Sequence, residues 1–233
     1  MGAWIKRIAR WLMLALLGWV AFSVLMVLML RVVPLSFSTV MLERKLEAVW
    51  AGESMAQQQQ WRPLKEMSLD AQLAVIASED QRFPFHRGVD FVELRRAIID
   101  ARRGNSLRGA STLSQQTAKN LFLWSGRSWV RKVLEAWFTL LIEALWPKER
   151  ILEVYLNIAE WDNGVFGLEA ASRHYFGTGA DQLSAVQASR LAAILPNPRA
   201  WSASRPSPHV ERRAQWIRQQ MRNLGGHAYL QRL

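Results

Sequence analysis

The longest hydrophobic run of the chain lies close to its N-terminus. Twenty consecutive positions ending at Leu30 carry no charge. At about 1.5 Å per residue, a helix of this length matches the roughly 30 Å hydrocarbon core of a bilayer. Lys6, Arg7 and Arg10 precede the run, whereas Arg31 is the one charged residue close behind it. This charge asymmetry predicts a membrane anchor with a cytoplasmic N-terminus.

The anchor sets the predicted organisation of the chain. We expect residues 1–10 in the cytoplasm, 11–33 in the membrane, 34–67 as a juxtamembrane spacer and 68–233 as one domain on the outer face. A cleaved signal peptide is the alternative. The apolar run is longer than the roughly 7–15 residues of a signal peptide, however, and no small-residue cleavage site closes it.

Beyond the anchor, apolar positions recur at helical spacing, without alternating strand runs or an internal repeat. A short charged helix is expected within residues 41–60, and Ser68 is expected to cap the first helix of the domain. Gly, Pro and Asn separate the later helical patterns. These patterns span residues 68–80, 91–103, 111–122, 128–146, 148–161, 164–176, 183–195 and 209–224. They predict an all-α domain.

The chain is strongly basic. Thirty Lys and Arg against nineteen Asp and Glu give a net charge of +11, which suits an anionic partner such as nucleic acid, a membrane surface or a phosphate-bearing substrate. Because a domain outside the membrane seldom meets DNA, we expect no nucleic-acid partner. Without cysteine, neither a disulfide nor a thiolate metal site can form.

The densest group of candidate catalytic side chains lies in residues 78–90, between two helical patterns. Glu79, Asp80, His86 and Asp90 place four titratable groups in one turn-prone segment, interleaved with phenylalanines. Because buried polar groups need partners, the cluster predicts a general acid or base. The alternative is a solvated loop in which Asp90 caps the next helix.

Three later segments carry polar groups that packing does not require. Residues 109–120 run from a small-residue turn into a helix start whose N–H groups and hydroxyls suit an anion, unless this is an ordinary capped helix. Arg131 and Glu135 are four residues apart, either as a surface ion pair or as a second carboxylate facing the first cluster. Residues 148–161 form either an amphipathic structural helix or a fourth part of the site.

Together these segments resemble the family-51 peptidoglycan glycosyltransferases, the polymerases of bacterial cell-wall glycan. The similar blocks, in the family's order, are EDQRFPFHRGVD, GASTLSQQTAKN, RKVLEAW with the later Glu143, and KERILEVYLN. The resemblance covers about residues 68–200 and implies a lysozyme-like helical fold. Because no Ser-x-x-Lys, Ser-x-Asn or Lys-Thr-Gly motif occurs, the chain is similar to the monofunctional members of the family.

The resemblance also implies a reaction and its residues. With lipid II as substrate, a sugar would be transferred with inversion from a diphosphate-linked donor to a glycan acceptor, which elongates the glycan chain and releases polyprenyl diphosphate. Glu79 would be the general base, and Glu135 would assist the leaving diphosphate directly or through a divalent cation, Mg or Mn. Residues expected on the substrate are Ser111, Thr112, Gln115, Gln116, Lys119, Arg127, Arg131 and Lys132. Supporting residues are Asp80, Phe83, His86, Gly88, Asp90, Glu143, Lys148, Glu153, Tyr155 and Asn157.

The segment LFLWSGRSWV, residues 121–130, is unusually apolar for a loop. It is either buried core or an interfacial jaw that dips into the lipid. Expected partners are therefore membrane lipids, with cell-wall synthesis or division proteins, at the bacterial inner membrane. Two alternative functions remain: a lytic muramidase-type enzyme that cleaves the same glycan, and a non-catalytic membrane scaffold for cell-wall enzymes.

Overall fold

The computed structural model divides into two compact units, Met1–Pro34 and Leu35–Leu233. It describes residues 2–52, 56–102, 111–126 and 128–233. The first unit holds helix α1 (Gly2–Leu30). Within it, Trp4–Leu30 is long and apolar enough to cross a membrane, as judged by length and composition. This helix is consistent with an inner-membrane anchor and begins before the predicted boundary at residue 11.

The second unit is built mainly from helices. In chain order they are α2 (Thr39–Trp50), α3 (Leu69–Glu79), α4 (Phe91–Arg102), α5 (Leu113–Phe122), α6 (Trp129–Leu145), α7 (Lys148–Ile158), α8 (Leu168–Phe176), α9 (Ala185–Ile194) and α10 (Pro208–Asn223). Short 3-10 turns lie at Leu64–Glu66, Phe83–Phe85 and Gly226–Arg232. The predicted helical class of the domain is confirmed, with small shifts at the helix ends.

A small three-stranded sheet was not predicted from the sequence. Its strands are β1 (Gln58–Gln59), β2 (Glu160–Asp162) and β3 (Val165–Phe166). The strand order is β1-β3-β2, with β1 parallel and β2 antiparallel to β3. Strands of two or three residues are too short to show the alternation of polar and apolar positions that marks a strand in a sequence.

Helices α3 and α7 form the centre of the domain. Every residue from Ala71 to Ala77 of α3 is buried, as is almost every residue of α7 from Ile151 to Ile158. Helix α3 packs against α9 and α10, whereas α5 packs against α2, α6 and α7. Glu79, the last residue of α3, therefore stands at the border of these two groups of helices.

Residues 35–67, for which the sequence predicts a spacer, contribute elements to the second unit. Thr39 at the start of α2 donates from Oγ1 to the Leu123 carbonyl at 2.6 Å. Strand β1 pairs with β3. Ser68 is the N-cap residue of α3, as predicted, but its hydroxyl makes no capping bond and donates instead to the Leu183 carbonyl at 2.7 Å.

Candidate active site

Glu79 ends α3, and its carboxylate is held by groups from three helices. Gln116 of α5 donates from Nε2 to Oε2 at 3.1 Å, and the neighbouring Ser78 hydroxyl donates to Oε1 at 2.9 Å. The Arg213 guanidinium of α10 lies 3.6 Å from Oε1. The side chain is 14 % exposed, so the carboxylate is oriented by neighbours yet reachable by a substrate.

Gln116 links this carboxylate to the buried centre of the domain. Its Oε1 accepts a hydrogen bond of 3.2 Å from the hydroxyl of Tyr155, a buried residue of α7. Burial, and then the negative charge of Glu79, raise the pKa of Tyr155 well above its ordinary value. The phenol therefore stays protonated and donates to the amide oxygen of Gln116, so that the NH2 group of Gln116 faces Glu79.

Asp80 fastens the loop that follows the candidate base. Its carboxylate accepts from His86 Nε2 at 2.9 and 3.0 Å, and Oδ2 also accepts from the Leu113 backbone N–H at 3.0 Å. Asp80 and His86 are both buried. Since Leu113 is the first residue of α5, one carboxylate joins the loop to that helix, where a negative charge is favoured. This placement agrees with the supporting roles predicted for Asp80 and His86.

The end of the same loop, at Gly88 and Asp90, is also held by local contacts. Asp90 accepts from the N–H groups of Val92 and Glu93 at 2.9 and 3.1 Å and thereby caps α4. Gly88 has a φ of +87°, and a Cβ there would lie 2.7 Å from Thr139 Cγ2. Only glycine fits this close approach of the loop to α6.

Glu135 of α6 is buried between two cations of its own helix. Arg131 donates to Oε2 at 3.0 Å, and Lys132 donates to Oε1 at 2.5 Å. Their side chains are 12 % and 50 % exposed, whereas that of Glu135 is 6 % exposed. The glutamate therefore holds both cations in place while leaving Lys132 open to an anionic ligand.

Lys119 of α5 connects the two glutamates electrostatically. Burial lowers the pKa of this lysine, and the charges of Glu135 and Glu79 oppose that decrease, while Arg131 and Lys132 add to it. Lys119 has no ion pair among the residues that the structure describes. A largely desolvated cation without a pairing carboxylate is suited to binding an anionic substrate group.

A second polar cluster, around Glu143, contacts the loop that follows Glu79. Glu143 of α6 accepts from the Ser114 hydroxyl and from Lys148 Nζ, the latter at 2.7 Å. The Lys148 ammonium also lies 4.4 Å from the centre of the buried Phe83 ring. Burial lowers the pKa of Lys148, and the Glu143 carboxylate opposes that decrease. Lys148 thus contacts both Glu143 and Phe83, and the supporting roles expected of these three residues stay predictions.

Glu153 and Asn157 lie farther from the candidate base and secure another part of the chain. Glu153 Oε2 accepts from the Leu64 N–H at 2.8 Å. The fully buried Asn157 side chain exchanges two hydrogen bonds of 2.8 Å with the backbone of Arg62. Through these hydrogen bonds, both residues of α7 hold residues 62–64 in place. Their role there is structural.

The predicted substrate residues at the start of α5 serve largely as its cap. The Thr112 hydroxyl accepts from the Gln115 N–H and donates to the Gly88 carbonyl, while Gln115 Oε1 accepts from the Thr112 N–H. Ser111 is exposed just before this cap. Substrate contacts of these three residues stay predictions. Arg127 lies outside the described residues.

Arg213 is a site residue that sequence reasoning missed. It reaches the base from α10, donating from Nη2 to the Ser78 hydroxyl at 3.1 Å. The residue lies 134 positions beyond Glu79, in a helix that carries three other arginines. No spacing or motif distinguishes it from those neighbours, so the sequence offered no signal that could have found it.

The residues around Glu135 do not fit a divalent cation. Both carboxylate oxygens already accept from cations. No group of three or more His, Asp or Glu side chains that could hold a metal ion occurs within the described ranges. Magnesium and manganese take several oxygen ligands, and this part of the protein supplies one carboxylate that is already paired.

The geometry defines a class of protein. Two glutamates, an oriented amide and a set of cations lie on adjoining helices, as a sugar-transferring enzyme with an anionic leaving group requires. The chain belongs to the transglycosylase family, whose model matches residues 45–222.

Proteins called biosynthetic peptidoglycan transglycosylase are similar to this chain over nearly all its length. The protein of Chromohalobacter salexigens is 67 % identical over 230 residues, which is 99 % of this chain and 98 % of that protein. The protein of Stutzerimonas stutzeri is 62 % identical over 94 % of this chain and 90 % of its own. The protein of Pseudomonas syringae pv. syringae is 59 % identical over 98 % and 97 %.

Proposed function

We propose that this chain extends peptidoglycan strands from lipid II, with Glu79 as the general base. The family and the names of its relatives make the chain a peptidoglycan glycosyltransferase. The observation that supports the residue assignment is that α5 carries both Gln116, which donates to Glu79 at 3.1 Å, and Lys119, on which the charges of both glutamates act. Base and cations therefore belong to one site.

The proposed step is a single inverting displacement. An acceptor hydroxyl of the glycan attacks the anomeric carbon of the donor sugar, and its proton passes to Glu79 as the bond to the diphosphate oxygen breaks. Gln116 and Ser78 hold the Glu79 carboxylate so that a lone pair can receive this proton. The leaving group takes away the electron pair of the broken bond as negative charge.

That charge is stabilised by the cations around Glu135. Lys119, Arg131 and Lys132 provide charge-assisted donors for the diphosphate, and Glu135 keeps two of them in position. Because Glu135 is already paired, no step here depends on a divalent cation. Recruitment of Mg or Mn by the diphosphate itself stays a prediction.

Lys119 gives the reaction a pH dependence. The ammonium must be charged to bind diphosphate, and burial lowers its pKa. The rate should therefore fall, as pH rises, at a lower pH than an ordinary lysine would allow. Replacing Lys119 with arginine, which stays charged in proteins, should move this alkaline decline to higher pH.

The measurement is kcat/KM for lipid II polymerisation across the neutral to alkaline range. Lys65→Arg makes the same change at an exposed lysine and should leave the profile unchanged. An alkaline decline at the same pH in wild type and Lys119→Arg would contradict the assignment of Lys119 to the diphosphate.

The same proposal places the domain at the outer face of the inner membrane. Lys6, Arg7 and Arg10 before the apolar helix support a cytoplasmic N-terminus. Apolar side chains are exposed at the start of α6, where Trp129 is 88 % and Val133 is 68 % exposed. Such a surface favours contact with lipid over water and supports the interfacial jaw at Trp129, whereas Leu121 and Leu123 of the same segment are buried.

The lipid contact can be measured because the chain has no native cysteine. A fluorophore on Trp129→Cys should be quenched by nitroxide-labelled acyl chains in vesicles that carry the full-length protein. The same fluorophore on Glu149→Cys, an exposed residue of α7, should be quenched much less. Equal quenching at the two positions would contradict the proposal that the α6 surface lies at the membrane interface.

Polymerisation itself separates the three candidate functions. The detergent-solubilised protein, given lipid II, should produce lengthening glycan strands and free polyprenyl diphosphate. Shortening of added glycan would support the lytic alternative, which has no diphosphate for Lys119 and its neighbours to bind. Full complementation of growth by an inactive Glu79 variant would support the scaffold.

A further inference from the structure

The last eleven residues of the chain, 223–233, lie beyond the part that the family model matches, yet they contact the candidate base's own helix. Gly225 and Gly226, with φ of +99° and +67°, reverse the chain after α10. The C-terminal turn (Gly226–Arg232) then runs back against α3. Left-handed backbone at two consecutive positions favours glycine, so this reversal is specified by the sequence.

The C-terminal turn contacts α3 at both ends. His227 Nε2 lies 2.7 Å from Asp70 Oδ1 in the first turn of α3. The Tyr229 hydroxyl donates to the Gln81 carbonyl, two residues after Glu79, at 2.6 Å. Asp70 lies in the first turn of α3, and Gln81 lies two residues beyond its last residue. The turn thus reaches from the start of the helix that carries Glu79 to the loop that follows it.

The C-terminal turn makes its most extensive contacts at the end near Glu79. Tyr229 is buried, and its ring meets Phe85 edge-on with a centroid distance of 6.3 Å. The Arg232 guanidinium lies 5.7 Å from both ring centres. At the other end, the exposed His227 lines a cavity of about 270 Å³ with Asp70. Tyr229 is therefore the main point of attachment.

Tyr229 complements the hold that Asp80 provides. Asp80 ties the loop to α5 through His86 and Leu113, whereas Tyr229 ties the next residue, Gln81, to the C-terminal turn. Burial, and then the charge of Asp80, raise the pKa of Tyr229. The phenol therefore remains a hydrogen-bond donor at alkaline pH.

We propose that Tyr229 is a positioning residue for the transfer reaction: its hydroxyl, through the Gln81 carbonyl, fixes the direction of the Glu79 carboxylate. This inference rests on the proposed function of Glu79 as the base. Tyr229 touches no reacting atom, so its loss should change turnover and leave substrate affinity unchanged.

The test compares Tyr229→Phe with Tyr175→Phe in the full-length protein acting on lipid II. Tyr175 of α8 is also buried, and its hydroxyl bonds to the Trp161 carbonyl at 3.1 Å and to the Asp162 carboxylate at 2.9 Å, with no contact to Glu79 or its loop. Tyr229→Phe should lower kcat by about 3- to 10-fold with KM unchanged, and Tyr175→Phe should lower neither.

A thermal melt of both variants accounts for stability, since each loses the hydrogen bonding of one buried hydroxyl. Equal kcat values for the two variants, beside an active wild type, would overturn the role of Tyr229 and leave the proposed function standing. A rise in KM with kcat unchanged would also overturn it. A wild type that does not polymerise lipid II would overturn both.

Discussion

Replacing Glu79 with glutamine is expected to lower the rate of glycan polymerisation by about 10³-fold while the fold is retained. Glutamine is isosteric and can still accept the hydrogen bond from Gln116, but it cannot take a proton from the acceptor hydroxyl. The measurement is initial strand growth from lipid II at saturating substrate, with a thermal melt beside it.

Glu149→Gln is the matched control for this variant. It makes the same chemical change at an exposed position in the first turn of α7, and its rate should stay within about twofold of wild type, as surface substitutions usually have small effects. Near-normal turnover by Glu79→Gln, with an unchanged melting temperature, would remove Glu79 as the base.

Replacing Glu135 with glutamine is expected to lower kcat by about 10²-fold without raising KM. The variant leaves Arg131 and Lys132 unneutralised, so the diphosphate should bind at least as well. The two cations would no longer be held where charge develops on the leaving group. Steady-state kinetics with lipid II separate these effects.

The control is Glu93→Gln on α4. Glu93 pairs with Arg96 at 2.6 Å, also within one helix, but the two side chains are 42 % and 68 % exposed. Exposed pairs contribute little, so neither kcat nor KM should change. The contrary result for Glu135→Gln is a loss of kcat/KM that comes entirely from a higher KM. It would show that Glu135 contributes to substrate binding and not to the transition state.

The helical fold and the candidate cluster around Glu79 can be predicted from the sequence because both are encoded locally, whereas Glu135 is indicated by the family resemblance. Apolar spacing marks the helices, and the acidic cluster at residues 78–90 is dense enough to stand out. Asp80 and His86, grouped with Glu79 at first, are shown by their burial and mutual hydrogen bonds to fasten the loop.

What the sequence could not show depends on contacts between distant parts of the chain. Arg213 reaches Glu79 from 134 positions away, and Tyr229 reaches Gln81 from 148 positions away. The small sheet joins Gln58–Gln59 to Val165–Phe166 through strands of two residues each. None of these pairings leaves a periodic or compositional trace, because in each the partners come together only through the packing of segments that are distant in the sequence.

The carboxylate of Asp80 has a consequence for repeated turnover. It bonds at once to the loop beside Glu79 and to the first N–H of α5, the helix that carries Gln116 and Lys119. Glu79, the proposed proton acceptor, and Lys119, a proposed ligand of the leaving group, are thus joined through one buried carboxylate. In the proposed polymerisation, this link would keep the distance between the two groups the same from one sugar addition to the next.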